Sequence, residues 1–86
     1  MAIQELRNQI DTIYDEMLSL FIRQAELTCE IGREKAKDGK TISDRKREEE
    51  ILEKVAANSP MDMQNYSIEL FREVIRLSKQ YYEDVK

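Results

Sequence analysis

Histidine and tryptophan are absent from the 86-residue chain, and cysteine and proline occur once each, glycine twice. Each shortage removes a class of structure or chemistry. Without imidazole there is no Ser-His or Cys-His nucleophile and no His-based metal cluster, so chemistry must rest on carboxylates, Lys, Arg, Tyr and neutral polar groups. The lone Cys29 forms no internal disulfide, which suits a reducing cytosol and sets the Asn65-Tyr66-Ser67 sequon aside as chance. There is no run of about 18 apolar residues and no signal-type hydrophobic segment, so a soluble, unexported, cytoplasmic protein without membrane contact is expected. The charge balance is acidic, with 14 Lys plus Arg against 18 Asp plus Glu and a net charge of −4. Nucleic acid is therefore not an expected partner, because phosphate binding draws on clustered cations. No cofactor or metal is expected either, since Asp44 and Glu48 offer two carboxylates without a third ligand.

What the chain does have is helical periodicity. Its breaks fall mainly at Gly39 and at Asn58-Ser59-Pro60, dividing a single 1–86 domain into three segments that each read as a helix. The first, about residues 2 to 37, places Ile3, Leu6, Ile10, Ile13, Met17, Leu20, Leu27 and Ile31 on an alternating three-and-four spacing, a seam interrupted only by Gln24. Gly39 is placed to close it in the left-handed conformation. The second helix is predicted from Ser43 or Asp44 to about Ala57, with Ile51, Leu52 and Val55 inward. The third is predicted from Ser59-Pro60 or Asp62 almost to the C-terminus, with Ile68, Phe71, Val74, Ile75, Tyr81, Tyr82 and Val85 as its buried stripe.

Length then bears on assembly. At 1.5 Å per residue the first helix runs roughly 54 Å, against roughly 23 and 39 Å for the others. Two shorter helices do not cover a seam of that length, and a chain this small hides only about 60% of its unfolded surface. The expected architecture is all-α, with three helices in a homodimer whose long helices pair antiparallel while the rest wraps around. A helical dimer with no site at all is the plain alternative.

Polar residues on apolar faces carry the functional signal, because burying one without a partner costs about 1 to 3 kcal/mol. Gln24 sits on the seam and Ser78 on the stripe of the third helix. Arg47 and Glu48 stand four residues before Ile51 and Leu52, with Asp44 a turn earlier, and Gly32 within the first helix suggests a close approach of backbone or ligand. Taken singly, each has an ordinary structural explanation: register for Gln24, back-bonding for Ser78, solvated charge for the rest. Taken together they make a site. Arg7 and Lys35 are 28 residues apart, roughly 42 Å along one helix, too far to share a small ligand within one chain. In an antiparallel pair centred near Phe21, Arg7 of one chain falls beside Lys35 of the other. Two equivalent sites follow, each joining Arg7 of the partner subunit to Lys35, Gln24, Asp44, Arg47, Glu48 and Ser78, a set suited to a small organic anion.

Three blocks of sequence match a known pattern: Leu6-Arg7-Asn8-Gln9-Ile10-Asp11-Thr12-Ile13, then Glu26-Leu27 with Ile31-Gly32-Arg33-Glu34-Lys35, then Gly39-Lys40-Thr41-Ile42-Ser43-Asp44-Arg45-Lys46-Arg47-Glu48. They resemble the all-helical class of chorismate mutases over nearly the whole chain, with Tyr14 where Asp is usual and Thr41 where Pro is usual. The resemblance implies an intertwined helical homodimer that rearranges chorismate to prephenate, an early step towards Phe and Tyr. It also implies roles. Arg7 of the partner subunit and Arg47 with Ser78 would engage carboxylates. Lys35 would donate to the breaking ether oxygen, and Asp44 and Glu48 would meet the ring hydroxyl or Lys35.

Two positions depart from that pattern. Gln24 stands where the family usually has a second carboxylate-binding Arg, and Tyr82 where it has a Gln or Glu donor to the ether oxygen. Arg23 points about 100° away from Gln24 on an ideal helix and is not expected to take over. Gln24 is expected to keep one hydrogen bond to the ligand, and Tyr82 to remain a neutral donor. Losing a hydrogen bond to a charged group costs about 1.5 to 3 kcal/mol against the 8 or more that enzymes supply, which implies a slow enzyme. An isochorismate-pyruvate lyase of the same fold, or a silent helical dimer with a ligand-binding or regulatory role, are the other readings.

Overall fold

Helices form at the three places the periodicity marks. The computed structural model describes residues 2–86 and folds them into α1 (Ile3–Lys37), α2 (Arg45–Asn58) and α3 (Gln64–Val85), with a 3-10 turn at Met61–Met63. No strand occurs among the described residues, and none of their helices is long and apolar enough to cross a membrane.

The ends of these helices place the later site. Gly39 adopts φ 69°, and the N–H groups of Gly39 and Lys40 donate to the carbonyls of Ala36 and Lys35 at 3.0 and 2.9 Å. These are the two closing bonds that require a left-handed residue, and they turn the chain back just past Lys35. Of the two candidate caps for α2, Asp44 is the one used. Its carboxylate accepts from the Arg47 N–H at 3.1 Å, while Glu48 reaches back to the Asp44 N–H at 3.4 Å, a reciprocal cap with the acid one residue later than usual.

α3 starts later than its sequence suggests. Neither Ser59 nor Asp62 caps it, because the Ser59 hydroxyl donates to the Val55 carbonyl at 2.8 Å and so closes α2 instead. Pro60 stays extended at ψ 145°, and the Met63 N–H closes a tight turn on the Pro60 carbonyl at 2.8 Å. The Gln64 amide then ties the start of α3 to the Ala56 carbonyl at 3.1 Å.

α3 packs against both α1 and α2 and joins them. The α1 face that packs on α3 runs beside the seam and meets it at Gln24, which bonds Ser78. It is a line of small residues, Ala25, Cys29 and Gly32, all buried, and it admits Ser78 and Tyr82 of α3. Cys29, off the seam and unremarked by periodicity, is part of this contact. Gly32 is the close approach its sequence position suggested, since a Cβ there would lie 2.6 Å from the Tyr82 ring. On α3, Ile68, Val74 and Ile75 are half-buried, whereas Phe71, Tyr81 and Val85 of the expected stripe are exposed.

The seam itself stays bare within the chain. Ile3, Leu6, Ile10, Ile13, Met17, Leu20, Leu27 and Ile31 are all exposed, from 42% at Ile10 to 65% at Ile3. The shape agrees, with a radius of gyration of 15.9 Å and a longest extent of 55 Å, where a compact 86-residue domain would have a radius near 12 Å. Its accessible surface is 7202 Å². A compact monomer of 10.2 kDa would show about 5,300 Å², so roughly 1,900 Å² is in excess.

Candidate functional site

The turn after α1 and the two helices that follow enclose a groove of about 410 Å³ against the C-terminal half of α1. Its volume lies in the range of small-molecule sites. Six of the eight sequence-nominated residues line it: Gln24, Lys35, Asp44, Arg47, Glu48 and Ser78. The other two do not. Arg7 lies far along α1, and Tyr82 turns its ring onto Gly32 and is buried there. Apolar walls come from Leu27, Ile31, Ile42 and Ile75.

Lys35 is held by what the α1 closure delivers to it. Its ammonium pairs with Asp44 at 3.6 Å and donates to the Ile42 carbonyl at 3.4 Å, with the side chain a quarter exposed. Asp44's carboxyl is held below the usual carboxylate range, chiefly by the Arg47 N–H that caps α2, against an opposing effect of desolvation and with further help from Lys35. One carboxylate thus serves as cap and as counter-ion. Arg47 is largely exposed, its guanidinium 3.9 Å from Glu50.

Glu48 has a partner that the sequence did not single out. The Lys79 ammonium donates to both carboxylate oxygens, at 3.0 and 3.2 Å, and reaches Ser43 Oγ at 3.5 Å, locking α3 to the start of α2. Lys79 stands four residues after Ile75, and that inward spacing was the available signal.

Gln24 spends its amide within the chain. Its amide nitrogen donates to Ser78 Oγ at 3.0 Å and to Thr28 Oγ1 at 3.3 Å. Both hydroxyl protons are directed elsewhere, from Ser78 to the Ile75 carbonyl at 3.1 Å and from Thr28 to the Gln24 carbonyl at 2.9 Å. The hydroxyl oxygens therefore act as acceptors towards the amide, and both amide N–H groups are engaged. The remaining atom, Gln24 Oε1, is buried without a partner. So Gln24 has no N–H left for a ligand, and Ser78, 1% exposed, has its proton on its own helix.

Arg23 also belongs to this groove. It lines the same groove, beside Leu20 and Leu27, the seam residues three before and four after it. A side chain of arginine's length is able to span the 100° offset that separates it from Gln24 on an ideal wheel. Among the described residues Arg23 makes no hydrogen bond or ion pair.

The arrangement is a groove with three cations, Arg23, Lys35 and Arg47, two carboxylates at its rim and aliphatic walls. Three cations against two carboxylates suit such a groove to holding an organic anion. A family model described as chorismate mutase type II matches residues 6–83. No curated protein and no solved structure matches the chain.

Proposed function

The chain belongs to the chorismate mutase type II family, and we propose that it catalyses the rearrangement of chorismate to prephenate in sites shared between two copies of itself. The observation that carries this reading is the convergence of Lys35, Asp44, Arg47 and Glu48 on one groove within the matched region. The rearrangement is intramolecular and needs no acid, base, metal or nucleophile. Its barrier falls when the dianion is held folded and when charge developing on the breaking ether oxygen meets a fixed donor. Lys35 is that donor, positioned by Asp44 and the Ile42 carbonyl. Arg47 meets a substrate carboxylate. Glu48, held by Lys79, meets the ring hydroxyl.

The dimer reading rests on the bare seam and the excess of roughly 1,900 Å² per chain, which, if covered on both copies, falls in the range of obligate homodimers. Antiparallel pairing of α1 brings Arg7 of the partner subunit to Lys35, adding a cation that a single chain leaves roughly 42 Å away. This is a cytoplasmic reaction in the reading proposed.

The test is chorismate consumption by the purified protein, with products identified and the oligomeric state measured by light scattering. Prephenate formation well above the buffer rate by a dimer supports the reading. Pyruvate release from isochorismate would assign the lyase instead, and an intact dimer with neither activity would leave a binding or regulatory role.

A further inference from the structure

Resting on that reading, we propose that Arg23 is the α1 residue that binds a carboxylate of the substrate, and that Gln24 is a wall of the site with no donor to give. The two neighbours differ in what they have free. Gln24 has both amide protons on Ser78 and Thr28, and those hydroxyls have their own protons on backbone carbonyls, so the amide cannot be turned round without losing two bonds. What it has left is a buried carbonyl oxygen. A carboxylate brought against that corner would meet acceptor oxygens only.

Arg23 has the opposite property. Lys35 is occupied by Asp44 and the Ile42 carbonyl, and Arg47 lies beside Glu50, whereas the guanidinium of Arg23 has no partner among the described residues. Its stem has Leu20 and Leu27 to lie along. Its planar fork matches a carboxylate with two parallel hydrogen bonds, which a lysine at the same place would not reproduce. Arg23 and Lys35 are twelve residues apart on α1, roughly 18 Å of helix, so two long side chains from that helix bracket a small dianion lying over Leu27 and Ile31.

The experiment compares the wild-type dimer with Arg23→Gln and Arg23→Lys, reading prephenate binding by calorimetry, KM and kcat for chorismate, and fold by circular dichroism and light scattering. Arg23→Gln should weaken prephenate binding and raise KM tenfold or more, as expected for loss of a charged hydrogen bond. Arg23→Lys should fall between. A monocarboxylate that mimics one end of prephenate should lose much less affinity than prephenate does, which a general structural defect would not produce. If Arg23→Gln, folded and dimeric, binds prephenate within twofold of wild type, the inference is overturned while the activity reading stands. If wild type binds prephenate without turning over chorismate, and Arg23→Gln loses that binding, the inference stands while the catalytic reading falls. Failure of wild type to bind prephenate at all overturns both.

Discussion

Gly32 and Tyr82 set the closest approach of α1 to α3, and a single methyl group tests it. Ala is the better helix former by about 1 kcal/mol, yet its Cβ would lie 2.6 Å from the ring of Tyr82, a residue only 5% exposed. Overpacking of a tight contact costs about 1 to 3 kcal/mol, so Gly32→Ala should lower unfolding free energy, and by less in a Tyr82→Leu background. A rise in melting temperature for the single variant would mean that the ring moves aside freely. Lys79 is the other residue whose partner is visible only in three dimensions. It acts through Glu48 by holding both oxygens of that carboxylate. Lys79→Met should cost roughly three- to tenfold in kcat/KM for chorismate, with Lys79→Arg retaining most of the rate, in line with a pair of charge-assisted hydrogen bonds. Equal losses in the two variants would discount the pairing.

At the scale of elements, the start of α2 does two jobs with one side chain. Asp44 caps the helix and pairs with Lys35, so anything that removes its charge loosens both. Its carboxyl is lowered in the folded chain, which means that its contribution to stability is fully present above the unfolded carboxyl value near 3.9 and is lost as pH falls through the lower folded value. Amide exchange in α2 should accordingly speed up in strong acid. Asp44→Asn should keep a cap but flatten that acid dependence, whereas Asp44→Ala should lower stability at neutral pH as well. An acid profile unchanged in Asp44→Asn would remove Asp44 from the explanation. α3 teaches the complementary lesson. Its start was misplaced because Ser59 bonds backwards to Val55, a choice between two neighbouring helix ends that local sequence signals leave open.

At the scale of the molecule, α1 is too long for the chain it belongs to. Its N-terminal half carries a regular apolar seam that no other element among the described residues covers. The proposed antiparallel pair places Arg7 and Lys35 of one site on different chains, and this has a consequence that a site within one chain cannot imitate. Arg7→Ala and Lys35→Ala should each be nearly inactive alone. Mixed and allowed to exchange subunits, they should recover about one quarter of wild-type activity, because half the dimers are mixed and each mixed dimer regains one intact site of its two. No recovery after verified exchange would place both residues in one chain's site, or one of them outside it.

Periodicity and the residue types at its breaks determined three helices, their approximate bounds, the closure at Gly39 and a cap at Ser43 or Asp44, because helix formation and termination depend on neighbours three and four residues apart. The same spacing, with charged and polar groups on inward faces, was enough to nominate Lys35, Asp44, Arg47, Glu48 and Ser78, which the fold gathers at one groove. Only the tertiary structure decided which face of α1 meets α3, that Tyr82 packs on Gly32, that Glu48 belongs to Lys79, and that Arg23 rather than Gln24 has donors free. Those outcomes depend on where hydroxyl protons and long side chains go when two helices meet, and a helical wheel of one chain segment contains neither.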